Sequence, residues 1–511
     1  MRSRGFRSIV YIQTRSKIYR SMDRARILED ILNPSSIAFF GANNDLMKMG
    51  TTQMVNMQLA GYTGKILPIH PRLDTVQGLK AYKSILDIPD DELPDIFFIV
   101  LPSKIVPRVL DECGSRGVTK GVVVSAGFRE MGATQLKQEL MDVVNKHGIA
   151  FLGPNCFGFF NNHIKVDSQA ELSSINTTWL SAYNPKRGGV SIASQSGTYM
   201  SHIFMAGRDF NMKFSKTISL GNEATIDIVD ALKYLGEDDH TRVIGLYIEE
   251  IKRPEEFVAV ARKISTKKPI IAMYVGGTNA GGRAISSHTG SMAGSDEIFN
   301  GVAKQVGILR AYTMEDWLVY CHSLDRCPLP KGRKVAILTN AGGPGATMAD
   351  LAERMELEVP VFSEKLQARL KKGLVPTAQV ANVVDLTFEL DIAKFYSKLP
   401  KDILKSGEID GLLVYGIFGT SFFHHLESMR EDLDFPIDDM EAMMFPLLKR
   451  YATYPRKYGI PIIASHLLGP DDNAAAYLQD LGFPVFKTPN QAVKAFWALA
   501  EYNRMKKARS N

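Results

Sequence analysis

Short hydrophobic runs alternate with amphipathic stretches along most of the chain. From residue 36 onward, runs rich in β-branched or aromatic residues are followed by segments with apolar residues at helical spacing, such as Ile105, Val109 and Cys113. Strands that alternate with helices in this way are typical of parallel βαβ units, so the predicted fold class is α/β. In the first third of the chain, the pattern predicts strands at residues 37–40, 65–68, 96–101, 121–124 and 150–152.

The same alternation predicts three successive domains after a basic leader at residues 1–26. A polar stretch near residues 164–187 ends the first domain, and a segment with Pro328 and Pro330 separates the other two. The predicted domains are residues 27–163, 185–326 and 331–505. Residues 188–198 and 333–345 each contain a strand, a small polar turn with glycine and a helix. This short similarity indicates either a duplicated flavodoxin-like domain or convergence.

The excess positive charge lies in the leader. The 511 residues include 61 Lys and Arg against 55 Asp and Glu, a formal net charge of +6. Residues 1–21 hold six of the basic residues and no acidic residue, so the remaining 55 basic residues equal the 55 acidic ones. A neutral body has no charge excess to neutralise phosphates, and we predict no nucleic-acid partner.

The leader itself is open to two interpretations. It is rich in Arg and Ser and lacks acidic residues, as organellar transit peptides do. It is equally consistent with untranslated sequence before a start at Met22, which opens a predicted helix at residues 22–32. We expect a cytoplasmic protein, or a protein of an organellar matrix in the first case.

Composition excludes several other classes of protein. Hydrophobic residues make up 45% of the chain and charged residues 23%, as in ordinary globular proteins. No apolar run approaches the roughly 18 residues of a membrane span, so we predict no membrane segment. Four cysteines without a CxxC pair predict neither a disulfide framework nor a zinc site, and we expect no metal centre.

The loops that follow the predicted strands are the candidate sites, because ligands of parallel sheets bind beyond the carboxyl ends of the strands. The first of these loops begins with Gly41 but lacks GxGxxG, so it is either a phosphate-binding turn or an ordinary βα turn. In GPNCFG, at residues 153–158, Asn155 offers donors and an acceptor to a ligand. Cys156 beside it is a candidate nucleophile, but no base is identifiable nearby, and we expect it to pack in the core.

Three later loops contain side chains suited to phosphate chemistry. ASQSGT, at residues 193–198, precedes a predicted helix and is either a simple N-cap or an anion site. N-capping needs only one serine, whereas this loop has two serines followed by Gly197 and Thr198, so we favour anion binding. His288 follows a glycine-rich loop at residues 276–282 that we expect to be flexible. It is either an ordinary exposed histidine or a nucleophile towards phosphorus. Glu249 or Glu250, at the end of an apolar strand, is either solvated or orients an imidazole.

Together these motifs resemble the α subunit of the ADP-forming acyl-CoA synthetases, the acetate–CoA ligases that belong with succinyl-CoA synthetase. The resemblance runs from about residue 33 to residue 504. It rests on motifs in the family's order, namely GPNCFG, SQSGT, NE-x-x-x-D at residues 222–227, SSHTGSMAG at residues 286–294 and TNAGGPG at residues 339–345. It implies a Rossmann-like CoA-binding domain followed by two flavodoxin-like domains, the first of which carries a phosphohistidine.

The resemblance also implies roles for individual residues. His288 becomes phosphorylated and Glu249 stabilises the phosphohistidine. The family usually has serine at the position of Asn43 and glycine at that of Glu250. Phosphate binding is implied for Ser194, Gln195, Ser196, Gly197 and Thr198, and a part in the acyl-phosphate region for Asn340, Gly342 and Gly343. CoA binding is implied for Gly41, Ala42, Asn43, Lys48, Pro71, Arg72, Pro102, Ser103, Ser125, Ala126, Gly127, Asn155 and Cys156.

The implied chemistry is a phosphoryl relay. Acyl-CoA, ADP and phosphate are interconverted with a carboxylic acid, CoA and ATP through an acyl phosphate and phosphorylated His288. The sequence has no P-loop, and we expect no room for an ATP-grasp module after residue 333. We therefore expect ATP or ADP with Mg²⁺ to be bound only by a separate ATP-grasp β subunit. The expected substrate is a small carboxylic acid or an acyl-CoA.

Two other functions fit the sequence less well. A non-catalytic regulator that binds CoA or acyl-CoA would keep the fold, but it would need neither SSHTGSMAG nor SQSGT. An NAD-dependent oxidoreductase is not supported, because the dinucleotide fingerprint is absent.

Overall fold

The computed structural model describes residues 23–128, 134–164, 166, 172–179, 185–289, 294–387, 389, 391–417, 419–430 and 432–510. Described residues up to 205 and from 214 to 306 pack as one compact unit, and residues 206–213 with those from 307 onward pack as a second. Within these residues, no helix combines the length and the apolar character needed to cross a bilayer. The prediction of three domains assigns one sheet to each domain, and the positions of the domain boundaries remain a prediction.

The first sheet is parallel, with strand order β2-β1-β5-β6-β7. Its helices bury most of the predicted apolar positions, including Val109 and Cys113 on one helix and Leu140 and Val144 on another. Ile105, predicted to share the first stripe, is 37% exposed and precedes its helix. The elements in chain order are α1 Arg24–Leu32, β1 Ser36–Phe40, α2 Met49–Leu59, β2 Lys65–Ile69, β3 Thr75–Val76, β4 Leu79–Lys80, β5 Ile96–Ile99, α3 Val106–Ser115, β6 Lys120–Val123, α4 Thr134–His147 and β7 Ala150–Leu152. Each strand predicted for this part of the chain is therefore confirmed.

The second sheet of the first unit runs in the order β13-β12-β10-β11-β8-β9. Strands β10 to β13 are parallel, whereas β8 and β9 are antiparallel additions at one edge. The elements are β8 Phe159–Ile164, β9 Ser173–Asn176, β10 Arg187–Ser194, α5 Gly197–Ala206, β11 Phe214–Ser219, α6 Ile228–Glu237, β12 Val243–Ile248, α7 Pro254–Ser265, β13 Ile270–Tyr274, α8 Asn279–Thr289 and α9 Asp296–Val306. The βα alternation did not predict β8 and β9, because no helix separates β7 from β8.

The second unit contains a parallel sheet of order β16-β15-β17-β18-β19. The long helix α18 packs on its strands and against α10 and α11. The elements are β14 Ile308–Ala311, α10 Met314–Arg326, β15 Val335–Thr339, α11 Gly342–Arg354, α12 Glu364–Lys371, β16 Val384–Asp385, a π-helical turn Lys394–Lys398, α13 Leu399–Leu404, β17 Gly411–Tyr415, α14 Ser421–Met429, α15 Ile437–Tyr451, α16 Tyr454–Tyr458, β18 Ile462–Ser465, α17 Asn473–Asp480, β19 Val485–Phe486 and α18 Pro489–Ser510. This second-first-third-fourth-fifth order is that of flavodoxin-like sheets.

The two flavodoxin-like sheets open with the same hydrogen-bonded turn. Ser194 Oγ accepts a hydrogen bond from Ser196 N at 3.1 Å and donates one to Ser196 O at 2.7 Å. Thr339 Oγ1 accepts from Ala341 N at 2.9 Å and donates to Ala341 O at 2.7 Å. The sequence similarity between residues 188–198 and 333–345 therefore corresponds to one local geometry used twice.

We expect Gly121→Ala to destabilise the first unit. A Cβ at this position would clash with the carbonyl oxygen and the ring of Phe97 on the neighbouring strand. Because a strand backbone yields less than a flexible side chain, the free energy of unfolding should fall by about 1–3 kcal/mol. The control Gly301→Ala adds a methyl group in open space on α9 and should stabilise by up to about 1 kcal/mol. Thermal unfolding followed by circular dichroism measures both, and equal midpoints would contradict this account.

Candidate active site

Loops at the carboxyl ends of the first sheet bring the predicted CoA-binding residues to one edge. Ser125 Oγ accepts a hydrogen bond from Leu101 N at 3.2 Å, and Asn155 N donates to Ser125 O at 3.0 Å, so the loops after β5, β6 and β7 are tied together. The predicted residues lie in the loops after five strands. The loop after β1 carries Gly41, Ala42, Asn43 and Lys48, and the loop after β2 carries Pro71 and Arg72. The loop after β5 carries Pro102 and Ser103, the loop after β6 carries Ser125, Ala126 and Gly127, and the loop after β7 carries Asn155 and Cys156.

The loop after β1 depends on two glycines. Gly41 has φ +98°, and a Cβ there would clash with Val100 O of the neighbouring strand end. A Cβ on Gly50, in the first turn of α2, would clash with Gly41 O. The helix can therefore approach this loop closely only because both positions lack a side chain. Gly41 is one of the residues predicted from the sequence, whereas Gly50 is not; a glycine in the first helical turn was the available signal for it.

The loop after β2 is organised by His70. Its Nδ1 accepts hydrogen bonds from Arg72 N at 3.2 Å and Leu73 N at 3.0 Å. Burial lowers the pKa of His70 below its ordinary value, and the nearby charges of Arg72 and Lys83 lower it further. The imidazole is thus held neutral as an acceptor, which leaves the exposed side chain of Arg72 as the cation of this loop.

The GPNC loop has two different faces. Asn155 adopts a left-handed conformation with φ +58° and is half-buried. Cys156 is only 1% exposed, and its thiol donates to Val123 O at 3.4 Å. Burial raises the pKa of Cys156 to about 12, so the group is a packed, protonated thiol. The expectation that it packs is confirmed, and a contact between Cys156 and a ligand must come from its backbone.

A cavity of about 440 Å³ lies at the carboxyl end of the second sheet. It joins residues of the GPNC loop to those of the predicted phosphate loop and to the end of β12. The lining residues are Asn155, Phe157, Gln195, Ser196, Gly197, Thr198, Asn222, Tyr247, Glu249, Ala284 and Ile285. Four of these residues were not predicted individually, although each lies in a segment that the sequence analysis identified: Phe157, Tyr247, Ala284 and Ile285.

The phosphate loop uses its side chains for two purposes. The side chain of Ser194 is fully buried and closes the turn described above, which leaves Ser196 and Thr198 on the cavity. Gln195 Oε1 accepts from Glu249 N at 2.5 Å and Glu250 N at 3.0 Å, while its Nε2 donates to Glu250 O at 2.7 Å. The first turn of a helix has N–H groups without intrahelical partners and a positive dipole end, so the start of α5 favours an anion in the cavity.

The carboxylate at the end of β12 is buried rather than solvated. Glu249 is 9% exposed, and the ring of the nearby Tyr247 stacks on Tyr199 with centroids 4.6 Å apart. Burial, followed by the charge of Glu249, raises the pKa of Tyr247, so its proton stays in place. Glu250 is not among the described residues that line the cavity.

Helix α8 overturns one expectation. The glycine-rich segment at residues 276–282 was expected to be a flexible loop, but residues from Asn279 onward are helical. Thr278 explains the difference, because its Oγ1 accepts from Gly281 N at 3.1 Å and its carbonyl from Gly282 N at 2.7 Å. Position 288 lies one helical turn after the cavity residue Ala284. The side chain of His288 and residues 290–293 lie outside the described part.

The glycine-rich loop of the third sheet lies in the second unit. Asn340 follows β15 directly, and Gly342 and Gly343 open α11. A Cβ on Gly416 would clash with the side chain of Asn340, and one on Gly342 would lie 2.9 Å from Asp385 Oδ2. The three predicted residues thus sit at the carboxyl edge of their own sheet. Among the described residues, no three His, Cys, Asp or Glu side chains are grouped to hold a metal ion.

Two family models match the chain at the places where these loops lie. A CoA binding domain model matches residues 35–162, and a succinyl-CoA ligase like flavodoxin domain model matches residues 187–324. The chain is 34% identical over 478 residues to the acetate–CoA ligase [ADP-forming] II subunit alpha of Pyrococcus furiosus, covering 93% of this chain and 98% of that subunit. The chain belongs to the ADP-forming acyl-CoA synthetases.

Other members of this family differ in length. The acetate–CoA ligase [ADP-forming] of Methanocaldococcus jannaschii is 35% identical over 480 residues, which cover 94% of this chain but 64% of that enzyme. Among solved structures, acetyl-coenzyme A synthetase 1 of Ca. Korarchaeum cryptofilum, in complex with phosphate and ADP, superposes with a TM-score of 0.80 at 31% identity, covering 94% of this chain and 98% of that chain. These matches confirm the predicted family and fold class. The named relatives are acid–thiol ligases, the expected enzyme class.

We expect Cys156 to resist alkylation in the folded protein. Thiol reagents attack the thiolate, and burial both raises the pKa of Cys156 to about 12 and blocks access. Iodoacetamide at pH 8, followed by peptide mass spectrometry, should leave Cys156 unlabelled in native protein and label it in urea. Rapid labelling of the native chain would reopen the nucleophile interpretation.

Proposed function

We propose that this chain is the CoA-binding, phosphohistidine-carrying subunit of an ADP-forming acyl-CoA synthetase. It interconverts acyl-CoA, ADP and phosphate with a carboxylic acid, CoA and ATP. The observation that carries the proposal is the composition of the cavity, in which Asn155 of the first sheet's edge meets the start of α5 and the carboxylate of Glu249. The cavity therefore adjoins both the GPNC loop, proposed to bind CoA, and the proposed anion site at the start of α5.

CoA is proposed to bind along the edge of the first sheet. The exposed cations Lys48 and Arg72 and the backbone N–H groups at the start of α2 suit its phosphate groups. The thiol end would lie towards Asn155, which lines the cavity. The neutral acceptor His70 keeps the Arg72 backbone in place without adding a charge of its own.

The proposed reaction passes a phosphoryl group through two intermediates. A phosphate oxygen attacks the thioester carbonyl of acyl-CoA, the C–S bond breaks, and CoA leaves as the thiolate to give an acyl phosphate. A ring nitrogen of His288 then attacks phosphorus, and the P–O bond to the acyl group breaks to release the carboxylate. In the last step a β-phosphate oxygen of ADP attacks the phosphohistidine, the P–N bond breaks, and ATP forms.

The cavity supplies what these steps need. The N–H groups at the start of α5 would bind the equatorial phosphoryl oxygens as negative charge shifts between them. Glu249, buried beside the cavity, would accept a hydrogen bond from the protonated nitrogen of His288 and hold that ring in position. His288 would travel on the segment that begins with α8.

The nucleotide step is proposed to require an ATP-grasp β subunit that holds ADP or ATP with Mg²⁺. The absence of a P-loop motif from the sequence supports this division. So does the match over 98% of a relative that is named as a subunit alpha.

Phosphorylation of the histidine tests the proposal. The chain with an ATP-grasp β subunit of the same family and ³²P-labelled ATP should acquire label that is acid-labile and base-stable, as phosphohistidine is. His288→Ala should abolish the label, whereas the exposed His424→Ala should retain it, and the chain without partner should take none. Absence of label with every partner tried would favour a regulator that binds CoA.

CoA affinity tests the proposed binding edge separately. Arg72→Met should weaken CoA binding by about 10- to 100-fold, because it removes a charge-assisted hydrogen bond to a phosphate. Arg108→Met is the matched control, since the Arg108 side chain is 75% exposed on α3 and contacts Glu112. Isothermal titration calorimetry with CoA measures both, and equal affinities for the two variants would move the binding site elsewhere.

A further inference from the structure

The loop after β1 holds two adjacent apolar side chains in water. Leu46 is 61% exposed and Met47 is 90% exposed, so most of both side chains faces solvent. A single exposed hydrophobic residue is ordinary on a protein surface. These two residues differ from that case because they directly precede Lys48, one of the two exposed cations proposed to bind the phosphate groups of CoA. The apolar pair therefore lies beside a proposed ligand site.

Hydrogen bonds fix the backbone that carries the two side chains. Met47 N donates to Asp45 Oδ1 at 2.9 Å, and Leu46 O accepts from Thr52 Oγ1 of α2 at 3.0 Å. Asp45 N in turn donates to Asn43 Oδ1 at 2.7 Å. None of these bonds uses the side chain of Leu46 or of Met47. The loop thus presents its apolar pair from a fixed backbone, so a ligand that binds there has less loop to order.

The same loop is tied to the segment that follows β2. Asn44 Nδ2 donates to Thr75 O at 3.2 Å, and Asn44 Oδ1 accepts from Gln77 N at 2.8 Å. Gln77 Nε2 also donates to Asn43 O at 3.1 Å. Thr75 comes three residues after Arg72, the second cation proposed to bind the phosphate groups. The loops that carry the apolar pair and both cations are therefore held together.

The strand order indicates which part of CoA would reach these loops. In the order β2-β1-β5-β6-β7, the loop after β1 lies three strands from the loop after β7. At the usual spacing between strands, this separation is about 14 Å. The thiol end of CoA is proposed to lie towards Asn155, in the loop after β7. The opposite end of the molecule, which carries the adenosine, then falls at the edge formed by β1 and β2.

We propose that Leu46 and Met47 form the contact surface for the adenine ring of CoA. This inference rests on the proposed function, whose CoA-binding edge it extends. The face of an adenine ring is planar and apolar, and its contact with aliphatic side chains removes apolar surface from water. The thioether sulfur of a methionine also interacts favourably with aromatic rings. The apolar pair would thus recognise the nucleotide half of CoA, while Lys48 and Arg72 bind its phosphate groups.

Calorimetric titration of the full chain with two ligands tests this contact. The ligands are CoA and adenosine 3′,5′-bisphosphate, a nucleotide that carries the adenine of CoA but no pantetheine arm. Met47→Ser should weaken the binding of both by about 5- to 20-fold, because the burial of an apolar side chain against the ring is lost. The midpoint of thermal unfolding should not change, since a side chain that is 90% exposed packs against little of the protein.

Two further variants serve as controls. Met47→Leu keeps the apolar surface and should bind CoA within about threefold of the unaltered chain. Leu59→Ser changes a residue that is 65% exposed at the end of α2, on the helix that follows the same loop, and should leave both affinities unchanged. An equal loss of affinity in Leu59→Ser would show that the effect is not local and would overturn the inference.

The remaining outcomes separate this inference from the proposed function. Equal CoA affinity in Met47→Ser and the unaltered chain would overturn the adenine contact and leave the proposed function standing. So would a loss confined to CoA, or a bisphosphate that the unaltered chain does not bind, because either result places the apolar pair away from the nucleotide half. A lower unfolding midpoint in Met47→Ser would assign the side chain a structural role instead. Absence of CoA binding by the unaltered chain would overturn both proposals.

Discussion

Hydrogen bonds that join β7 and the loop after it to the loop after β11 are the contact on which the site depends. Phe151 N donates to Thr225 Oγ1 at 2.7 Å, and Ala224 N donates to Gly153 O at 2.9 Å. A Cβ on Gly221 would clash with the backbone of Pro154. These bonds join the edges of two separate sheets, so the loop after β7 and the start of α5 line one cavity.

The contact also explains the use of buried polar groups around the cavity. Gln195 bonds to the backbone of Glu249 and Glu250, Lys252 bonds to the backbone of Asn222 and Glu223, and the helix start and Glu249 line the pocket. Buried polar groups are costly when a partner is missing, so such bonds favour a single arrangement. The backbone at Glu249 is therefore held by side-chain hydrogen bonds, whereas position 288 lies on helix α8.

The strands of the first sheet and the positions of the loops that follow them could be predicted from sequence, because hydrophobic alternation indicates where parallel strands end. Gly41, Asn155 and the ASQSGT turn were identified in this way, and the family resemblance added roles. The burial of Glu223 and its ion pair with Lys252 could not be predicted, since they depend on contacts between residues that are distant in sequence. The helix at Asn279–Thr289 was missed because glycine content outweighed the capping signal of Thr278.

Net charge alone does not decide whether a protein can bind anions. The formal charge of +6 lies in the first 21 residues, yet the proposed anion sites of the neutral body use helix starts, backbone N–H groups and single cations such as Arg72. Such sites depend on geometry rather than on charge excess, so only a structure can test them.

A crystal structure of the full chain with CoA and inorganic phosphate would test the central claim most directly. The account predicts phosphate in the cavity, bonded to backbone N–H groups at the start of α5, with the thiol end of CoA directed towards Asn155. Phosphate bound elsewhere, or CoA running away from the loop after β7, would contradict it.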